Sequence, residues 1–192
     1  MQGKTLTLPS IIGERIVRGR VAADMLLVVA ASALIALAAQ VAIPLPFTPV
    51  PLTLQPLAVI LIGATLGSTR AASAAALYLF EGASGLPVFA EGHGGAIWLI
   101  GFTGGYLLSY PAAAWLAGLV SERGWGNTIV RSVTGMLLAL AVIYLGGWSW
   151  LAVLTTPQIA FAKGVAPFVV ADIVKVAIGA ALLPWALRFS QR

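Results

Sequence analysis

The chain has no cysteine, one histidine and very little charge: Asp, Glu, Lys and Arg together make up only 9% of its 192 residues. Without cysteine, a disulfide-stapled secreted module is excluded. A lone histidine with no Cys or second His nearby makes no zinc site. Charge this sparse excludes a disordered chain, which needs low hydrophobicity and many charges. It also excludes an ordinary soluble globule, which averages about 25% charged residues. What the chain does have is apolar bulk, with 60% hydrophobic residues. The class that fits is an all-α polytopic membrane protein. Six helices of about 20 residues use about 120 positions and leave about 70 for tails and loops. The composition therefore predicts one compact six-transmembrane-helix bundle. The net charge is +5. In a membrane protein, cations orient the loops, so no nucleic-acid partner is expected.

Residues 1–20 form the one charge-dense stretch, with Lys4, Glu14, Arg15, Arg18 and Arg20. They read as a cytoplasmic tail ahead of a six-helix domain over 21–192. The apolar run 21–43 is about twice the length of a signal-peptide core, so it reads as a retained first span. Next comes PLPFTPVPLTLQP, residues 44–56, with five prolines in 13 positions. Proline gives no helical N–H and holds its neighbour extended. The stretch is an apolar, uncharged loop, expected to lie over the protein or over something it holds. Spans two and three are short, 57–67 and 71–80, with a turn marked by Arg70. The Gly-rich segment 81–95 holds Glu81, Glu91 and His93. Span four covers 96–120, interrupted early by glycine and later by Pro111. A polar loop, 121–127, leads to span five at 128–151. A partly polar connection, 152–163, leads to span six at 164–188. No internal repeat is evident, so the inverted-repeat transporter architectures get no support.

Six spans place both termini on one side, and the cations say which. With cytoplasmic termini, Lys4, Arg15, Arg18, Arg20, Arg70, Arg123, Arg131, Arg188 and Arg192 are all cytoplasmic, Lys163 alone is outside and Lys175 is in the membrane. The positive-inside rule predicts this split, hence N-in, C-in.

Asp172 and Lys175 are the main chemical signal. Three apart on a membrane helix, they share a face. A charge in the bilayer is expensive unless paired or hydrated, and such residues usually face a cavity or a path. One reading is a mutually neutralising pair that fixes helix packing. The other is a polar floor for a small ligand carrying both N–H and C=O groups, or for a zwitterion. The run Glu91 to Gly95 (EGHGG) is either a plain turn or a loop whose glycines let backbone approach a ligand. Glu81 and Glu91 have no partner that makes them a hydrolytic pair. There is no G-x-x-x-x-G-K-[ST] and no G-x-S-x-G, so the chain carries no ATP motor of its own and no enzyme is expected. Trp98, Tyr110, Trp115, Trp125, Tyr144, Trp148, Trp150 and Trp185 read as an interfacial belt. Tyr106, after a Gly-Gly pair, is set apart from them as a site candidate. Small residues in span one, including the pairs Ser32/Ala36 and Ala38/Ala42, allow close helix approach. They suit either internal packing or another membrane protein.

Four ordered stretches, IPLPFTPVPLTLQPLAVILIGATLG (43–67), GLPVFAEGHGG (85–95), GFTGGYLLSYP (101–111) and ADIVK (171–175), together resemble the BioY family. These are biotin-specific substrate-binding (S) components of energy-coupling-factor (ECF) transporters. The resemblance covers most of the chain and implies a six-helix S-component bundle in the bacterial cytoplasmic membrane. It implies biotin as transported ligand, with no cofactor. The implied partners are a transmembrane coupling protein and two ATPase subunits. The ligand is expected near the outer face, under the loop between spans one and two. Asp172 would accept from the ureido N–H groups and Lys175 would donate to the ureido C=O. Backbone N–H groups at Gly94 and Gly95, with Thr103 and Tyr106, are the candidates for the carboxylate. Glu91 and His93 fall where the family's Gly-rich loop meets the ligand, and Gln55 completes the set. Two departures stand out. The family's G-P-T-G-G-Y is Gly101-Phe102-Thr103-Gly104-Gly105-Tyr106 here, which loses the proline and leaves the start of span four less rigid. Glu91 and His93 replace small or amide residues, and Glu91 would repel an anion unless it points to water or His93 is protonated. A stand-alone facilitator or proton-coupled carrier is the alternative in function. An intramembrane enzyme or scaffold subunit ranks last.

Overall fold

The computed structural model describes residues 8–125 and 128–190, with side chains described from residue 19 onward except at 182 and 184–190. Lys4, Arg192 and the side chains of Glu14, Arg15, Arg18, Trp185 and Arg188 lie outside the described residues.

The architecture is helical. Helix α1 (Leu8–Gln40) leads into a two-residue hairpin, β1 (Ala42–Ile43) and β2 (Leu52–Thr53). Then come α2 (Gln55–Leu66), α3 (Ser68–Ala83), a 3₁₀ turn at Ala90–Gly92, α4 (Ile97–Ile100), α5 (Gly104–Glu122), α6 (Ile129–Leu154), α7 (Pro157–Gly164) and α8 (Val169–Ser190). The Pro-rich loop springs from the antiparallel hairpin, which pairs Ala42 with Thr53 and Ile43 with Leu52. The loop is not extended throughout as its prolines suggest: Pro46 and Phe47 form a turn closed by the Thr48 N–H, which donates to the Leu45 carbonyl at 3.2 Å, and the hairpin fixes both ends of the loop beside α2.

The structure moves several sequence-based boundaries, each for a local reason. Helix α1 starts at Leu8, so part of the expected tail is helical. The break between α2 and α3 is at Gly67, whose φ of +85° suits glycine. Arg70 lies in the first turn of α3. The expected fourth span is two helices: α4 ends at Gly101, and α5 begins after Thr103. Pro111 sits inside α5 without ending it. The expected polar connection 152–163 contains α7. There Thr156 caps the helix by accepting from the Ile159 N–H at 3.3 Å, and Pro157 takes the first turn, where a missing N–H is harmless.

Among the described residues, two helices are long and apolar enough to cross a membrane, Gly19–Gln40 and Ile129–Leu154. The pair Pro157–Gly164 and Val169–Ala181, bent by 51°, makes a third. Met25, Leu26, Leu34, Leu37, Leu145, Val153, Val170 and Ile178 are exposed on their outer surfaces. So much apolar surface is untenable in water and natural against lipid.

Helix α5 is the hub, touching α2, α3, α4 and α6. Glycines set those distances. A Cβ on Gly63 would lie 2.5 Å from the Ala114 carbonyl, and one on Gly118 would lie 2.3 Å from the Ser68 nitrogen. Between α5 and α6, a Cβ on Gly105 would meet the Gly146 carbonyl at 2.3 Å. On α1, Ala31, Ser32, Ile35 and Ala39 are buried, and Ser32 donates to Glu81 of α3 at 2.6 Å. The Ser32 end of the small-residue stripe therefore serves internal packing. At the far end of the same helices, Asp24 pairs with Arg70 at 2.8 Å. Nearby, Glu122 of α5 accepts from the Ser68 N–H at 2.6 Å at the start of α3.

Candidate ligand-binding site

A cavity of about 240 Å³ opens between the Pro-rich loop, the start of α2, the Gly-rich loop, and helices α5, α6 and α8. Its size suits a small ligand. Prolines 44, 49, 51 and 56, with Leu45, Val50 and Leu52, form an apolar wall. The polar lining falls into two groups.

The first group centres on Asp172, which is 4% exposed in the first turn of α8. One carboxylate oxygen accepts from the Tyr144 hydroxyl at 2.6 Å, and the other accepts from Lys175 Nζ at 2.8 Å. The ammonium also donates to the Thr53 carbonyl at 2.7 Å. It thus ties α8 to the hairpin beneath the Pro-rich loop. Behind Thr53, its hydroxyl donates to Gln55 Oε1 at 3.2 Å, and the Gln55 amide donates to the Tyr78 hydroxyl. Tyr78 meets Phe89 edge to face, with ring centroids 5.5 Å apart. The two readings of the charged pair are therefore one arrangement. Asp172 and Lys175 neutralise each other, and they do so on a cavity wall. An ammonium has three N–H donors and a carboxylate about four acceptor sites, so both retain capacity for a ligand that offers an acceptor beside donors.

The second group sits on the Gly-rich loop. His93 Nδ1 donates to the Ala90 carbonyl at 2.8 Å, and the ring stacks on Trp98 with centroids 4.0 Å apart. Glu91 lies on the cavity rim, exposed, with φ of +61°. The loop is braced from α1, where Gln40 accepts from the Gly92 N–H at 3.0 Å and donates to the Phe89 carbonyl at 3.1 Å.

Of the residues singled out by sequence, Asp172, Lys175, His93, Glu91, Thr103, Tyr106 and Gln55 meet at the cavity. Gly94 and Gly95 are not among its lining. The Gly95 N–H donates to the Gly82 carbonyl at 2.7 Å. Gly94 packs so closely that a Cβ would lie 2.3 Å from the Leu86 carbonyl. Tyr106 offers its ring, while its hydroxyl donates to the Gly164 carbonyl at 2.7 Å. Thr103 makes a long contact of 3.4 Å to the Trp98 carbonyl. Phe102 is half-exposed and off the cavity wall. The turn it occupies is closed instead by Trp150, whose indole donates to the Gly101 carbonyl at 2.9 Å.

Sequence reasoning missed Trp98, Tyr110 and Tyr144 by assigning them to the interface; all three line the cavity. Tyr144 follows Ile143 in the buried stripe of α6 that runs through Ser132, Met136, Leu140 and Gly147, and that periodicity was the available signal. Tyr110 is 3% exposed. Among the described residues its hydroxyl has no hydrogen-bond partner, and no side-chain polar atom is sealed without one. The hydroxyl therefore reaches the cavity.

The sequence model of the BioY family matches residues 9–192. The chain belongs to the BioY family. A probable biotin transporter BioY of Pyrococcus horikoshii is 46% identical over 129 residues, covering 67% of this chain and 75% of the relative. The biotin transporter BioY of Thermotoga maritima is 37% identical over 153 residues, covering 78% and 86%. The crystal structure of an S-component for biotin from an ECF-type ABC transporter superposes with a TM-score of 0.79 at 20% identity. It covers 91% of this chain and 94% of the other. This BioY-family chain thus shares the S-component fold.

Proposed function

We propose that this chain binds biotin and mediates its uptake as the membrane-embedded substrate-binding subunit of an ECF-type transporter. The observation that carries the reading is the Asp172–Lys175 pair on the cavity wall. A cyclic urea offers two N–H donors beside one C=O acceptor. Asp172 receives the former, and the remaining Lys175 N–H meets the latter. The apolar proline wall suits the thiophane ring and the valeryl chain. Relatives named as biotin transporters support the same ligand.

In this reading the bundle spans the cytoplasmic membrane six times. The shorter helices α2, α3 and α5 complete the spans, and both termini are cytoplasmic, as the cation split favours. A coupling protein and two ATPase subunits supply the energy, since the chain has no nucleotide-binding motif. The test is isothermal titration of the detergent-purified chain with biotin, with thiamine and riboflavin as controls. Saturable binding of biotin alone is expected. No binding by folded, biotin-free protein would overturn the ligand. Uptake by this chain alone into ATPase-free liposomes would overturn the partners.

A further inference from the structure

We propose that His93, as the imidazolium, receives the ligand's carboxylate, so that loading the site takes up a proton. The inference rests on the biotin reading and adds a coupling to it.

Charge on the wall comes first. The charged or ionisable lining groups are Glu91, His93, Asp172 and Lys175, plus the phenols of Tyr106, Tyr110 and Tyr144. Lys175 lies 2.8 Å from Asp172, so each cancels the other. Glu91 then leaves the lining one negative charge in excess. Glu91 is exposed on the rim, where water screens it, yet a carboxylate entering past it meets like charge and no unpaired cation in the described lining. Among the described lining residues, His93 is the one group left that can gain a positive charge.

The hydrogen bond of His93 makes this an all-or-none matter. Nδ1 faces the Ala90 carbonyl at 2.8 Å, and a carbonyl only accepts, so Nδ1 carries the proton in the neutral ring. Nε2 is then a bare lone pair, which repels a carboxylate oxygen. Protonation turns Nε2 into a donor without moving the ring, because the Nδ1 bond is kept. Stacking on Trp98 at 4.0 Å holds the ring in place, and a cation over an indole face is stabilised.

Placement agrees. Among the described residues, no hydrogen bond or ion pair joins His93 to the Asp172–Lys175 group. The cavity therefore has two polar groups that do not touch each other, one on α8 and one on the Gly-rich loop, which suits a ligand with a polar head and a separate carboxylate. Histidine is the side chain whose charge changes between pH 5 and 8. The sign is fixed: a ligand that favours the imidazolium draws a proton in, and affinity falls as pH rises. The limit for one proton is about tenfold per pH unit.

The experiment titrates the purified full chain with biotin and with biotinamide, which lacks the negative charge, from pH 6 to pH 8. Biotin is expected to bind roughly tenfold tighter at pH 6 than at pH 8, with proton uptake visible as heat that depends on the buffer. Biotinamide is expected to show a flat profile. His93→Gln should flatten the biotin profile, and Glu91→Gln should keep its slope while tightening binding. A flat biotin profile in the unmodified chain would overturn this proposal and leave the biotin reading standing. Loss of the slope in Glu91→Gln would move the proton to Glu91 and overturn it too. Absence of biotin binding at every pH would overturn both. The comparison of the two ligands on the unmodified chain needs no variant to fold.

Discussion

The polar groups that join helices at the two ends of the bundle behave differently. At the Glu122 end, Ser68, Ser121, Glu122, Asp24 and Arg70 are spent on closing the fold. Glu122 accepts from both the N–H and the hydroxyl of Ser68, at 2.6 and 3.0 Å. Ser121 donates to the Ala64 carbonyl at 2.7 Å, and Asp24 answers Arg70. The cavity beside Ser121 holds about 10 Å³, too little for a ligand. At the Asp172 end, the groups keep something back. Among the described residues, Lys175 uses two of its donors, Tyr110 uses none, and His93 Nε2 has no partner. The comparison separates polarity that holds helices together from polarity that waits for a ligand. Unspent hydrogen-bonding capacity facing a cavity marks the second kind, whereas charge alone marks neither.

Removing one member of the Asp172–Lys175 pair tests this contrast most severely. Asp172→Asn or Lys175→Met is expected to weaken biotin binding by at least about a hundredfold. Each strands its partner in a buried site, at about 3–5 kcal/mol, so each should also lower the thermal stability of the ligand-free chain. The double variant separates the two effects. With both charges gone, stability should recover towards the unmodified value, while binding stays lost. A double variant that still titrates tightly with biotin would reduce the pair to a staple like those at the opposite end.

Tyr110→Phe comes next. It deletes a hydroxyl that has no partner among the described residues, at a site 3% exposed. One neutral hydrogen bond is worth about 0.5–1.5 kcal/mol, so the dissociation constant for biotin should rise about twofold to thirteenfold. The ligand-free chain should melt where the unmodified one does, since nothing in the fold depends on that hydroxyl. A drop in melting temperature with unchanged affinity would place Tyr110 with the structural groups.

Much of this was legible in the sequence, for physical reasons that also set the limit. Apolar runs announce helices, and a charge inside one is expected to face a cavity, so the place of Asp172 and Lys175 on a cavity wall was readable from the sequence. Helix α7 was hidden because its residues are partly polar, although Thr156-Pro157 is a helix start. Commitments between distant residues were not readable. Nothing near Gly95 says that its N–H is taken by Gly82, and nothing near Tyr106 names Gly164, 58 positions away, as its acceptor. An aromatic residue near a span end looks the same whether it meets headgroups or a cavity. Trp98, Tyr110 and Tyr144 needed their neighbours on other helices to be placed.

Glu122→Gln is the smallest expected effect on binding, and for that reason it completes the contrast. The Glu122 carboxylate sits at the start of α3, where backbone N–H groups have no partner within the helix and the helix dipole favours negative charge. The amide keeps an acceptor for Ser68 but loses the charge, so about 0.3–1 kcal/mol of stability should go. In a chain of this length that lowers the melting temperature by about 1–4 °C. The cavity lining includes neither Glu122 nor Ser68, so biotin affinity should be unchanged within error. Melting curves and titrations on the same preparation read both quantities. An affinity loss as large as that of Tyr110→Phe would mean that the two ends are mechanically coupled, and the division into spent and unspent polarity would then fail.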